Sequence, residues 1–198
     1  MNNGKNKPRG WYSRGYLPHF DGGTKLQFLT FRLNDSLPQA VIGKWKIELE
    51  QCSEIEREIT LRERIEKYLD CGYGKCYLKN PEIAKIMQDA LLFHNDTKYK
   101  LIAWTIMPNH VHILLKPFEK LGTIEHSIKS FTANEINKLL NRRGSLWQTE
   151  VFDRYIRNFE HFEKTVAYIE NNPVKARLCE NASDWQFGSA YIFKDGLI

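Results

Sequence analysis

Between Lys98 and Pro117 the chain reads KYKLIAWTIMPNHVHILLKP, two apolar stretches interrupted by Pro108 and Asn109. Turn residues between two strand-like runs predict a β-hairpin. No other stretch limits the fold as much. The second arm opens with two histidines one residue apart. Side chains alternate along a strand, so His110 and His112 share one face while Val111 and Ile113 share the other. Two imidazoles on one face can grip one metal ion. The plainer alternative is a pair of half-exposed strand histidines.

The flanks extend the hairpin into an architecture. Thr24 to Leu33 predicts a first strand. Asp35 and Ser36 offer N-cap oxygens for a helix from Pro38 to about Leu69, with a break or kink expected at Gly43. This stretch, densest in charge near residues 45–70, reads as a solvated helical insertion. Asn80 with Pro81 opens another helix. A helix over Leu121 to Leu140, a strand in VFDRYIRN and a final helix stopped by Pro173 complete the series. The order strand, helix, strand, strand, helix, strand, helix is the split βαβ order. The expected class is α+β, a ferredoxin-like antiparallel sheet with helices on one face and a further C-terminal helix. Such a fold hosts many functions.

The expected division is an N-terminal arm, residues 1–23, and one domain, 24–198, with the helical insertion inside it. The 198 residues suffice to bury a real core. The longest apolar run, Leu101 to Met107 apart from Thr105, falls far short of the ~20 residues that span a bilayer. No apolar stretch follows the charged N-terminus, so no secretory signal is read there. A cytoplasmic protein with no membrane partner is expected. Four scattered cysteines, Cys52, Cys71, Cys76 and Cys179, do not form a disulfide framework or complete a zinc tetrahedron.

Of the formal net charge of +5, four units come from Lys5, Lys7, Arg9 and Arg14, with no acid among the first twenty residues. Trp11 and Tyr12 lie between them. Cations interleaved with aromatics suit a phosphate backbone whose unpaired bases stack on rings. Lys129, Arg142, Arg143, Arg154, Arg157, Lys175 and Arg177 are further candidates for backbone phosphates. Trp147 is either a core residue or a stacking platform.

In the last helix Tyr168 and Asn172 are one turn apart and therefore on one face. Asn172 can present a carboxamide oxygen to a hard cation. Two imidazoles and one amide with open positions suit Mg²⁺ or Mn²⁺ better than closed structural zinc. The alternatives are a core tyrosine and a helix C-cap.

The segments MPNHVHILL, WQTEVFDRYIRN, YIENNPVKARL and DWQFGSAY, with RGYLPHFDGG ahead of the first strand, resemble the single-tyrosine transposases of the His-hydrophobic-His class (IS200-like), especially the REP-associated tyrosine transposases. The resemblance runs from Arg14 to Tyr191 apart from the charged helical stretch. It implies a nuclease for single-stranded DNA at hairpin (palindromic) elements, working as a monomer or a homodimer. His110 and His112 match the metal-holding pair, Tyr168 matches the nucleophile that forms a 5′-phosphotyrosine, and Asn172 stands at the polar third ligand. Arg177 occupies a position where a small residue, often glycine, is expected. The competing class is a regulatory protein derived from such an enzyme that binds hairpins without cutting them.

Overall fold

The computed structural model describes residues 10–13 and 18–194. Strands β1 (Gly10–Ser13) and β2 (Pro18–Asp21) pair with each other as a two-stranded antiparallel ribbon. The main sheet holds β3 (Gln27–Arg32), β4 (Tyr99–Ile106), β5 (His110–Pro117) and β6 (Phe152–Tyr155) in the spatial order β4-β5-β3-β6, every pair antiparallel. This is the ferredoxin-like arrangement: the hairpin β4–β5 forms one side and β3 is inserted between β5 and β6.

Register decides which side chains share a face. Thr30 lies opposite His112 and Arg32 opposite His110, while Leu29 and Phe31 oppose Ile113 and Val111. The helices α3 (Pro81–Phe93) and α4 (Leu121–Leu139) cover the second of these faces, burying Ile83, Met87, Leu91, Ile124 and Ile128 against it. The histidine face is covered by α5 (Phe159–Lys175), whose Ile169 packs on Phe28, Ala103 and Leu114. Because both faces are covered, β5 is buried at every position except Lys116. The histidines are therefore not half-exposed.

The stretch between β3 and α3 departs from the single helix expected. It forms α1 (Gln39–Glu48) and α2 (Glu54–Asp70), and Gly43 lies unbroken inside α1. The break falls at residues 49–53 because Ser53 and Glu56 form a reciprocal capping box that starts a new helix. Arg57 then donates to the carbonyls of Leu49, Glu50 and Cys52 and fixes the corner. Pro38 occupies the N-cap of α1. Asp35 instead accepts from the Lys75 amide at 2.9 Å, and Ser36 donates to the Leu33 carbonyl. The helical pair has its own core of Leu37, Ile42, Leu49, Leu61, Ile65 and Leu69. It is more than a solvated appendage.

Pro173 does not stop α5. It sits in the last turn, where its missing N–H removes only one helical bond and α5 continues to Lys175. The end is set by Arg177 at φ +58°: its amide donates to Val174 and the Leu178 amide donates to Pro173, both at 2.9 Å, which is a Schellman closure. Asn172 is accordingly an interior helical residue and not a cap. A short α6 (Ser189–Lys194) follows, with Ser189 buried against Trp104. Trp147 belongs to the core, 3% exposed, with its indole N–H donating to Thr132 Oγ1 at 2.9 Å. All four cysteines are free, and among the described residues no helix is long and apolar enough to cross a membrane.

Candidate metal and nucleophile site

The site forms where the start of β5 meets the last turns of α5. His110 and His112 are both buried, and their Nε2 atoms approach to 3.1 Å. Each ring is oriented through its other nitrogen. His110 Nδ1 lies 2.7 Å from Asn109 Oδ1. Asn109 spends its own N–H groups on the carbonyls of Leu69 and Tyr73, so its oxygen accepts and His110 carries the proton on Nδ1. The Nε2 lone pair of His110 is thus directed inward. His112 Nδ1 is 2.9 Å from Thr30 Oγ1, its cross-strand partner, and the ring stacks on Phe28 at a centroid distance of 5.4 Å.

Both imidazoles are held neutral. Burial pushes His110 down to about 3, assisted by the charges of Arg32 and Lys175. Burial, followed by His110 and Lys175, takes His112 well below its usual value. Neutral imidazole is the ligating form.

Tyr168 faces these rings from α5, and Asn172 lies one turn further along the same helix. The Tyr168 hydroxyl is 3.4 Å from His112 Nε2, and its ring centroid is 5.3 Å from that of His112. Burial first, then the Glu66 and Asp70 carboxylates, raise the phenol's pKa. The Asn172 amide acts against that rise without making a hydrogen bond of normal geometry. Asn172 is 1% exposed, and neither Oδ1 nor Nδ2 is hydrogen-bonded. A buried unpaired amide costs on the order of 1–3 kcal/mol, so such a side chain calls for a ligand.

Among the described residues no three His, Cys, Asp or Glu side chains group to hold a metal. The available donors are instead the two converging imidazoles and, on α5, the unpaired Asn172 amide. The imidazole pair fits a divalent ion: adjacent nitrogens on an octahedral ion at ~2.1 Å stand ~3 Å apart, close to the separation of the two Nε2 atoms.

The remaining sequence candidates are dispersed. Arg154 and Arg157 line a cleft of about 570 Å³ that opens beside His112. Lys175 pairs with Asp70 at 2.7 Å and stands 5.9 Å from the Tyr168 ring centroid. Lys129 donates to the carbonyls of Gln148 and Thr149, and Arg142 to Asn137 and Ser145, so both support loops. Arg143 and Arg177 are exposed. Lys5, Lys7, Arg9 and Arg14 lie outside the described residues. For Trp11 and Tyr12 the structure describes only the backbone, in β1.

Several residues of the site escaped the sequence reading. Thr30 and Arg32 are brought to the histidines by register, and Arg32, a charge at an inward strand position between Phe31 and Leu33, was the one available signal. Asn109 looks like a turn residue until its contacts are known. Glu66 and Asp70 come from the helix read as a solvated insertion.

Known proteins share parts of this sequence and its fold. Residues 77–172 match the family described as Transposase IS200 like. A stretch of 99 residues is 28% identical to a REP-associated tyrosine transposase of Escherichia coli (strain K12), covering 48% of this chain and 56% of that protein. The chain thus matches little more than half the relative's length. The fold is similar to that of a solved REP-associated tyrosine transposase bound to a REP hairpin, with a TM-score of 0.53 at 18% identity over 93% of this chain and 82% of the other. Residues 77–172, a little under half of the chain, are therefore similar to the IS200-like transposases, and this stretch contains His110, His112, Tyr168 and Asn172.

Proposed function

We propose that this chain is a metal-dependent endonuclease and strand transferase for single-stranded DNA, acting at hairpins through a 5′-phosphotyrosine on Tyr168. One observation carries the reading: the Tyr168 hydroxyl, 3.4 Å from His112 Nε2, meets two converging neutral imidazoles at a single buried point. The name of the Escherichia coli relative and the hairpin bound in the solved structure support the substrate class.

The Tyr168 oxygen bonds to phosphorus as the P–O3′ bond breaks. The phenolic proton is released, the departing 3′-oxygen takes one up, and the fragment downstream of the cut stays on the protein through its 5′-phosphate. Attack by that 3′-hydroxyl, or by one from another strand, on the phosphotyrosine reverses the step and joins DNA. An ordinary tyrosine is roughly one part in a thousand ionised at pH 7, a handicap near ~4 kcal/mol. Here burial and two carboxylates enlarge it, so proton loss belongs to the attack step and not to the resting protein. Mg²⁺ or Mn²⁺ held by His110, His112 and Asn172 would supply positive charge to the scissile phosphate. Thr30 and Asn109 keep both rings aimed, and Arg154 and Arg157 offer charge to the strand outside.

The test is covalent. Labelled hairpin DNA with a single-stranded tail, incubated with the protein and Mn²⁺ and then denatured, should leave label on a peptide containing Tyr168. Tyr168→Phe keeps the ring and deletes the nucleophile. It should bind DNA and form no adduct. Normal cutting by the variant refutes the mechanism, and hairpin binding by wild type without cutting on any substrate favours the regulatory class.

A further inference from the structure

Three ties hold the α1–α2 pair over the site, two of them on α2 itself. Asn109 donates to the Leu69 carbonyl at its C-terminal end, Asp70 pairs with Lys175 of α5, and Gln148 donates to the Leu37 carbonyl below α1. The cleft beside His112 therefore has two walls, α2 on the outside and the edge strand β6 on the inside. Phe152 and Arg154 of β6 lie opposite Thr30 and Phe28, on the face that carries His112.

Arg62 of α2 reaches across from the outer wall. Its guanidinium carbon stands 5.1 Å from the centre of the Phe152 ring, and its Nε is buried with no hydrogen bond. Arg154 and Arg157 line the same cleft, and the three cations repel one another: Arg154 is lowered by burial first, then by Arg62 and Arg157. Glu66 lies among them and burial raises it toward its neutral form, while Asp153 and Glu50 also line the cleft. Folding brings these like charges together at a cost, which an anion would relieve. Glu54 and Glu58, two turns and one turn before Arg62 on α2, also line the cleft.

We propose that α1 and α2 form the outer wall of a channel for single-stranded DNA, in which Arg62, stacked on Phe152, holds with Arg154 a backbone phosphate of the strand leading to Tyr168. The assignment rests on the DNA-cleaving function proposed above. A planar guanidinium fixed against a ring presents its remaining N–H groups in a set direction, as a phosphate requires. Arg62 and Phe152 bring the two walls of the cleft together at one point.

The test uses the full chain and two oligonucleotides, a hairpin with a single-stranded tail and the same hairpin without it. Arg62→Gln should weaken tailed DNA by about tenfold, leave the tail-less hairpin unchanged, and lower the log-log salt slope by ~0.7, the share of one single-strand phosphate. Arg62→Lys should keep the slope, since it keeps the charge. A neutral methylphosphonate walked along the tail should weaken wild type at one position and leave Arg62→Gln indifferent there. Equal affinity and slope in wild type and Arg62→Gln overturn the proposal. So does an Arg62→Lys variant that loses as much slope as the glutamine variant, which would assign the loss to packing. Failure of wild type to trap DNA on Tyr168 sinks the enzymatic reading alone, because the binding comparison involves no cleavage.

Discussion

Acid should unfold this protein through its histidine pair, and His110→Gln isolates the effect. In the folded chain His110 titrates at about 3, against about 6.5 for an exposed histidine. Its folded pKa is depressed, so the native state carries no proton there between the two values while the unfolded chain does. Stability contributed by the neutral ring is therefore whole above about 6.5 and is lost as the pH falls toward 3. In that window each unit of pH shifts the folding equilibrium by up to tenfold per histidine. Over the full window His110 alone accounts for on the order of 5 kcal/mol, a large part of the 5–15 kcal/mol available to an ordinary domain. Burial is complete, so solvent screening discounts little of this. His112, lowered for the same first reason, acts in the same direction. Urea unfolding of the metal-free protein at pH 7, 6, 5 and 4 should show wild type taking up about one more proton on unfolding than His110→Gln across the acidic range. Parallel stability curves for the two proteins would refute the assignment of a buried neutral imidazole.

Three further outcomes follow from single contacts. Arg177→Gly should stabilise the chain by about 0.5–1 kcal/mol in chemical denaturation, because the closure of α5 places this residue at φ +58°, where glycine has no Cβ penalty. Asn172→Leu removes two buried unpaired polar atoms at similar volume, so it should raise the metal-free melting temperature and abolish the rise that Mg²⁺ or Mn²⁺ gives wild type. Thr132→Val leaves the buried Trp147 indole N–H without its 2.9 Å acceptor and should cost about 1–3 kcal/mol by the same denaturation assay.

The order of strands and helices was legible because it rests on local signals. The Pro-Asn break between two apolar runs gives the β4–β5 hairpin, Asn80-Pro81 gives the start of α3, and the alternation around them leaves one antiparallel topology. Boundaries failed where a local cue was outweighed. Gly43 has low helix propensity, yet α1 passes through it because Leu37, Ile42 and Leu49 bury themselves against α2. Pro173 reads as a stop, but a proline in the last turn forfeits one bond, and the reversal needs the left-handed residue that arrives only at Arg177.

Within the site, legibility followed the number of residues between partners. His110 with His112, and Tyr168 with Asn172, are pairs within one strand and one helix, so a period of two and a period near four suffice to place each pair on a face. What joins the pairs is long-range: Thr30 reaches His112 across 82 positions, and Asn109 reaches Leu69 across 40. No periodicity encodes such contacts; they appear once β3 is inserted beside β5 and α2 is docked over the turn. The misreading of α2 has the same origin. Ile55 and Ile59 are exposed while Leu61, Ile65 and Leu69 are buried, and charges of both signs on every turn conceal which charged face turns outward. Docking turns Arg62, Glu66 and Asp70 inward instead, so the helix least like an active site in sequence supplies the two carboxylates that act on the tyrosine.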